Sequence, residues 1–287
     1  MLELNKVTKY YGNNLGVSNL SYQINKGEIL ALLGINGSGK TTSFRIILGL
    51  LEASSGSVKY QGRKIGKNEV GYLPEERSLY RDLSVYKQLR YIGRLRKMNE
   101  REIDEKIDKY LNLLKITHYK NFKIQQLSKG NQQKVQLIVA ILHEPELLIL
   151  DEPFTGLDVE NVELFLDFIL RLKAEGKIIL ISSHQLMYLE KLCDHLIFLR
   201  SGKISVQGRI TTLKKQSKGH YLSYSSDTYY RLRESAELVL KKENGPHFKY
   251  LITNDNLCKK IAKKLLNDPN IYQLKIEQLS LSELIKL

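Results

Sequence analysis

The chain has 287 residues, 42% hydrophobic and 26% charged, with a formal net charge of +14, an ordinary globular composition with room for one large or two modest domains. No apolar run approaches the roughly 18–20 residues that span a bilayer as a helix, and Met1-Leu2-Glu3-Leu4-Asn5 enters a strand-like pattern with no signal peptide expected. The basic excess would suit nucleic acid or an anionic lipid surface, but no basic motif interleaved with aromatics accompanies it, so solvated basic helix faces are the expectation.

Leu2 to Val7 alternates as a strand and Leu20 to Ile24 does so again, predicting a small antiparallel element. Asn25-Lys26-Gly27-Glu28 turns the chain into Ile29-Leu30-Ala31-Leu32-Leu33, a buried strand. Gly34-Ile35-Asn36-Gly37-Ser38-Gly39-Lys40-Thr41 follows and fits the phosphate-loop pattern G-x-x-x-x-G-K-[ST]. Thr42 to Leu51 then carries Phe44, Ile47, Leu48 and Leu51 at helical spacing. In this context the glycines let successive N–H groups face one phosphate chain, and the helix N-terminus adds partial positive charge. Lys40 is expected at the β- and γ-phosphates and the Thr41 hydroxyl on Mg²⁺.

Ser54 to Ser57 reads as a turn, Val58 to Tyr60 as a short strand, and Val70 to Leu73 as a strand that Pro74 ends. From Leu79 to about Lys123 the pattern is helical. Ser84 is a candidate cap, and Asn99 with Glu102 resembles a capping box ahead of Ile103, Ile107, Tyr110, Leu111 and Leu114 on one face. This predicts a helical insertion, too short for the long coiled-coil arms of chromosome-organising ATPases. Leu127-Ser128-Lys129-Gly130-Asn131 leads into a helix striped by Val135, Ile138, Val139 and Leu142. Leu147 to Leu150 is a second buried strand, ending in Asp151-Glu152. A helix over roughly Val162 to Ala174, a third buried strand over Lys177 to Ser182 ending at Ser183-His184, a helix to about Cys193 and a strand over His195 to Leu199 follow. Continuous apolar strands alternating with helices predict a mostly parallel sheet covered on both faces. Cys193 and Cys258 lie far apart, show no metal-ligand spacing and read as small core or boundary residues in a reducing cytosol.

After Gly208 the chain becomes rich in Lys and Tyr. From Ser205 to Leu287 it holds 15 Lys and Arg against 8 Asp and Glu, half of the net charge. Tyr221 to Tyr224, Phe248 to Ile252 and Leu274 to Ile276 read as strands. Asp255 to Leu266 reads as a helix with Leu257, Ile261 and Leu265 on one face, and Ser280 to Leu287 as a short amphipathic helix. A small α+β domain is expected here, with no internal repeat or low-complexity tract.

Several groups line up behind the phosphate loop. An apolar strand with an acidic end places Asp151 beside the metal and Glu152 where a base polarises an attacking water. His184 ends the next strand, within reach of a γ-phosphate. The helix opening at Ser128 offers a second anion-binding N-terminus. Parallel strands that end along one edge gather most of these groups in a crevice.

In this order the motifs resemble the ATP-binding subunit of ABC transporters, over about Met1 to Gly208. GINGSGKT resembles Walker A, LSKGNQQK the signature, LLILDEP Walker B, GLD the D-loop and SSH the switch histidine. The resemblance implies an α/β fold: a P-loop, RecA-like core with an antiparallel β element and a helical subdomain at about 79–135. This ATP-binding domain spans 1–208, and a small α+β C-terminal domain spans 209–287. It also implies nucleotide contacts from Gly34, Asn36, Gly37, Ser38, Gly39, Lys40, Thr41 and Thr42, and from Ser128, Gly130 and Asp158 across a dimer interface. Tyr11 matches the aromatic that stacks on adenine, with Tyr10 as the neighbouring alternative. Glu152 and His184 become the catalytic pair, and Thr41 and Asp151 the Mg²⁺ holders. Glu75 takes the position where the family usually has glutamine and is expected to offer its oxygen to the metal or the water. The signature departs from its commonest form at Lys129 and Asn131.

The resemblance further implies a homodimer or heterodimer of ATPases on the cytoplasmic face of the membrane. The dimer would be held there by a separate transmembrane permease, most similar to exporter-type systems for sodium efflux, drug resistance or peptide immunity, with no nucleic-acid partner. A soluble ATPase acting on ribosomes is the alternative. Translation factors of that kind usually carry two tandem cassettes, and here there is one. A regulatory module that binds ATP without turnover is a third reading, opposed by the presence of Glu152 and His184.

Overall fold

Apolar alternation at Leu2, Leu4 and Val7 starts β1 (Leu2–Tyr11), which continues well past the expected end. Its partner β2 (Asn14–Ile24) likewise begins before Leu20. The β1–β2 register shifts between Leu4 and Val7 and again around Lys9, and Lys6 and Asn19 take φ of 49° and 54°. Bulges of this kind break the two-residue period by which a strand is read. After β3 (Ile29–Gly34) comes α1 (Lys40–Ile47), which takes in Lys40 and Thr41 and stops short of Leu51. Next is β4 (Ser55–Tyr60), which pairs with β1 in an antiparallel sheet of order β2-β1-β4. The short strand β5 (Val70–Leu73) ends at Pro74. The computed structural model describes residues 1–216, 219–227 and 231–284, in two compact units, Met1–Gly208 and Arg209–Leu287.

The helical insertion holds α2 (Val85–Leu95) and α3 (Glu100–Leu113). Ser84 and Asn99 cap them, accepting the Lys87 and Glu102 N–H groups at 3.3 and 2.7 Å. The order continues with α4 (Lys129–Ile141), β6 (Leu147–Asp151), α5 (Val159–Ala174), β7 (Ile178–Ser182), α6 (Leu186–Leu192), β8 (His195–Arg200) and β9 (Lys203–Arg209). A six-stranded sheet of order β5-β6-β7-β3-β8-β9 results, parallel through its first five strands. Leu147, Ile149, Ile178 and Leu180 share a core with Leu2, Leu20, Phe44 and Tyr60. The alternate residues Leu148, Leu150, Ile179 and Ile181 are equally buried, so these strands are covered on both faces and their sequences are continuously apolar. The carboxyl ends of β5, β6, β7 and β3 lie side by side, which brings their following loops to one edge.

The second unit holds α7 (Ile210–Gln216), β10 (His220–Ser226), β11 (Leu238–Asn244), β12 (His247–Ile252), α8 (Asp255–Leu266), β13 (Ile271–Gln278) and α9 (Leu281–Leu284). Its four strands form an antiparallel sheet of order β11-β12-β10-β13. Leu222, Tyr224, Phe248, Tyr250 and Ile252 pack with Cys258, Ala262 and Leu265 of α8. The strands β9 and β11 were not expected from the sequence. One buries no residue fully and the other only Leu238, so neither shows a strong apolar period. The expected terminal helix begins at Leu281 rather than Ser280, and residues 285–287 lie outside the described residues.

Gly71 fixes how closely β5 approaches α4. A Cβ there would stand 2.1 Å from the Ala140 carbonyl and 2.8 Å from both Leu148 Cδ2 and Pro145 Cγ. Overpacking of this kind costs about 1–3 kcal/mol. Gly71→Ala should lower the urea midpoint of the large unit accordingly, as followed by circular dichroism. An unchanged midpoint would show that β5 and α4 separate without cost.

Candidate active site

The loop leaving β3 is built around close backbone approaches. A Cβ on Gly34 (φ +154°) would meet Ser38 Oγ at 2.2 Å, and one on Gly39 (φ +103°) would meet Val17 Cγ1 at 2.4 Å. Gly39 is also the N-cap of α1 and supplies no side-chain acceptor, so the first N–H groups of the helix keep their capacity for an anion. The Lys40 ammonium donates to the Gly34 and Ile35 carbonyls at 2.7 and 3.4 Å. Ser38 Oγ is buried and has no hydrogen-bond partner. Tyr11 Oη lies 3.4 Å from Thr42 Oγ1.

The end of β6 carries the acid pair, and the end of β7 carries the groups that hydrogen-bond it. Asp151 is paired in register with Ser182, whose hydroxyl donates to Asp151 Oδ1. The Glu152 N–H donates to the Ser182 hydroxyl at 3.2 Å and to its carbonyl at 3.1 Å. Glu152 has φ +50°, a left-handed conformation uncommon for a residue with a side chain and often found at active sites. Glu152 Oε2 accepts the His184 N–H at 3.2 Å, and His184 Nε2 stands 3.5 Å from Glu152 Oε1. That second oxygen is buried and has no hydrogen-bond partner. Burial lifts the Asp151 carboxyl above its ordinary range against the Ser182 hydrogen bond, and the Glu75 charge adds to the rise. Burial also lifts Glu152, with the His184 N–H opposing and the Asp151 and Glu75 charges adding.

These loops enclose a cavity of about 420 Å³. Its lining includes Asn36, Gly37, Ser38, Gly39, Lys40, Thr41 and Thr42 from the phosphate loop and α1. Glu75 lines it after β5, Asp151 and Glu152 after β6, and His184 after β7. Tyr11 lines it and Tyr10 does not; Gly34 stands behind it, its carbonyl on Lys40. Ser128, Gly130 and Asp158 lie outside this lining. Ser128 and Asp158 cap α4 and α5, accepting the Asn131 and Asn161 N–H groups at 3.3 and 2.9 Å. The site of a Cβ on Gly130 is 3.4 Å from the Gly156 carbonyl, so the signature and D-loop segments form one neighbouring patch.

Several residues of the site were not legible in the sequence. Gly16 and Leu15 line the cavity from β2, and a Cβ on Gly16 would meet the Tyr11 ring at 2.8 Å. Two buried glutamines of α4 hold the acidic loops from behind. Gln133 Nε2 donates to the Pro153 carbonyl, next to Glu152, at 3.1 Å. Gln136 Nε2 donates to the carbonyls on either side of Glu75, Pro74 at 2.8 Å and Glu76 at 3.4 Å. The one available signal was a pair of uncharged polar residues three apart, and so on one side of this helix.

Among the described residues no group of three or more His, Cys, Asp or Glu forms a metal cage. Mg²⁺ is ordinarily held by one or two carboxylates together with substrate phosphates and water. The donors at the cavity, namely the Thr41 hydroxyl, Asp151 and Glu75 beside the unpartnered Glu152 Oε1, fit such an ion.

A phosphate loop at the carboxyl edge of a parallel sheet, a buried acidic pair at the end of the next strand but one and a helical insertion define an ATP-binding cassette. The model of the ABC transporter family matches residues 17–155. An uncharacterized ABC transporter ATP-binding protein of Bacillus subtilis (strain 168), YhaQ, is 42% identical over 288 residues, covering 99% of this chain and 97% of that protein. Another, from Methanocaldococcus jannaschii, is 44% identical over 252 residues, covering 84% and 94%. The Nod factor export ATP-binding protein I of Cupriavidus pinatubonensis is 34% identical over 215 residues, covering 73% and 66%. Among solved structures, an ATP-binding subunit of an ABC transporter superposes with a TM-score of 0.70 at 29% identity, covering 75% of this chain and 92% of that one. The ADP conformation of the cassette MJ1267 superposes with a TM-score of 0.66 at 25% identity, covering 73% and 91%. The chain belongs to the ATP-binding proteins of ABC transporters, a family of ATPases.

The raised Glu152 carboxyl makes a stability prediction. Its folded pKa exceeds its unfolded value, so ionisation opposes folding as pH rises through the folded value, and the penalty is absent below the unfolded value. In nucleotide-free protein with chelator, Glu152→Gln should melt about 2–4 °C higher at pH 8, the shift that about 1 kcal/mol produces in a domain of this size. The gap should close toward pH 4. An equal or lower melting temperature at pH 8 would mean that burial does not penalise the ionised group.

The Gln136 tie makes a kinetic one. Gln136→Met keeps the side-chain volume and removes the donor, freeing the Glu75 loop. Turnover should fall about tenfold, a barrier change of about 1.4 kcal/mol, with the KM for ATP within about threefold. Turnover equal to wild type would show that the loop holds its geometry without α4.

Proposed function

We propose that two such cassettes, identical or related, close around ATP and use its hydrolysis to drive a separate transmembrane permease of exporter type. The observation that carries this reading is the division of the motif residues. The phosphate loop, acid pair and His184 share one cavity, whereas Ser128, Gly130 and Asp158 form an adjoining patch outside it. A second chain applied to each surface would complete both sites.

In this mechanism Lys40, Ser38 and the N–H groups of the loop bind the phosphates, and Tyr11 stacks on the adenine. Thr41, Asp151 and Glu75 would hold Mg²⁺, which when bound would supply charge neutralisation to the phosphates. Burial keeps the Glu152 carboxyl more basic than a free glutamate, which suits it to accept the proton of the attacking water. His184 steadies the Glu152 carboxylate through its N–H and offers its ring to the γ-phosphate. Ser128 and Gly130 reach the nucleotide of the opposite chain. Among the described residues no helix is long and apolar enough to cross a membrane. In this reading the permease is a partner polypeptide and this chain sits peripherally on the cytoplasmic face. The exporter direction is supported by the Nod factor export relative.

Glu152→Gln tests the reading. It should bind ATP and Mg²⁺, elute as a dimer in their presence, and lose roughly 10²-fold or more of the turnover. When isolated from gently solubilised cells, the wild-type chain should bring an integral membrane protein with it. Wild-type turnover in the variant would remove Glu152 as the base. Recovery with ribosomes in place of a membrane protein would overturn the transporter assignment in favour of a soluble ATPase.

A further inference from the structure

The sheet of the unit Arg209–Leu287 has a face that its core does not use. Leu222, Tyr224, Phe248 and Tyr250 turn toward α8, and the residues between them face the other way. On that second face the register builds two cross-strand rows. In the first, Lys242 stands opposite Lys249, Lys249 opposite Ser223, and Ser223 opposite Lys275. In the second, Asn244, His247, Ser225 and Gln273 follow the same order. Ser225 is buried, with its Oγ 2.5 Å from His247 Nδ1 and 3.2 Å from Gln273 Oε1. Both rows line a concave cavity of about 270 Å³.

Like charges directly opposite one another in an antiparallel pair are destabilising. Lys242 and Lys249 are such a pair, and Lys275 extends the row. Of the three, Lys275 is in an ion pair among the described residues, with Glu277 at 2.6 Å. Lys249 lies over the Tyr221 ring, 4.1 Å from its centroid, with Glu277 and Glu283 near enough to feel its charge. The ammonium groups thus outnumber the carboxylates. Next to them the fixed second row offers hydroxyl, amide and imidazole groups. Ammonium charge flanked by hydrogen-bonding side chains is the chemistry that holds oxyanions. A nucleic-acid strand or an extended acidic peptide would need a basic stripe continuing past the sheet, whereas this row ends on the two edge strands β11 and β13. We propose that this concavity binds a small soluble phosphate-bearing anion, of pyrophosphate or phosphomonoester size, between Lys242, Lys249 and Lys275.

The test uses the full chain with inorganic pyrophosphate as the probe, in a Lys40→Ala background so that the ATP cavity does not report. Calorimetry should give saturable binding of about one pyrophosphate per chain, weakened about tenfold or more in Lys242→Gln/Lys249→Gln. Without ligand, the double variant should melt at the same or a higher temperature, because the opposed charges are gone. Equal binding by both proteins, or no saturable binding at millimolar pyrophosphate, would overturn the proposal. So would a lower melting temperature in the double variant, which would make the row a structural element. Binding to phosphatidylglycerol vesicles without binding to pyrophosphate would also overturn it, in favour of a lipid-headgroup surface.

Discussion

Asp151 and Glu152 lie at the end of β6, a strand hydrogen-bonded on both sides, where they remain only 4% and 5% exposed and little water solvates two adjacent carboxylates. Their ionisation is costly there unless donors reach them, and the local structure is arranged around supplying those donors. Ser182 gives a hydroxyl to Asp151, and the His184 backbone gives an N–H to Glu152. The left-handed turn at Glu152 sends one oxygen to that N–H and leaves the other without a hydrogen bond, 3.5 Å from His184 Nε2. The neighbouring strand must therefore be β7, in a register that sets Ser182 beside Asp151. A carboxylate left partly unsatisfied is a poor contributor to stability and a good base, which is the trade expected of a catalytic group.

The helix α4 links this pair to a second surface. Its first turn carries Ser128 and Gly130, which lie outside the nucleotide cavity, while Gln133 and Gln136, one and two turns further on, grip the loops after β6 and β5. A rigid helix with one end at the patch and its side in the acidic loops has the geometry to carry displacement between them. Coupling of this kind needs a contiguous packed element rather than a chain of surface contacts, and both glutamines are buried.

The unit from Arg209 onward is governed by different physics. Its sheet is antiparallel and covered on one face by α8, so the other face is polar and its side chains are set by register alone. Tyr224, Phe248 and Tyr250 supply a stacked aromatic core. Tyr250 Oη also accepts the Leu232 N–H and donates to the Leu232 carbonyl, pinning the loop ahead of β11.

Much of the large unit was legible in the sequence because its central strands are buried on both faces. β3, β6 and β7 appear as continuous apolar runs, and the phosphate loop follows β3 within a few residues, where spacing alone defines its geometry. Ser84 and Asn99 were legible as caps because capping is a contact over three residues. The lengths of β1 and β2 were hidden by bulges, and β9 and β11 by their exposure. By itself the sequence determined where the motifs lie along the chain, since short-range motifs are fixed by covalent spacing. Only the tertiary structure decided which of them share a cavity, which stand apart at Ser128, Gly130 and Asp158, and how distant residues meet. Gln136 reaches Pro74, and Lys242, Lys249 and Lys275 join in one row, because strand order and register are properties of the folded sheet and helix packing. No local stretch of chain encodes them.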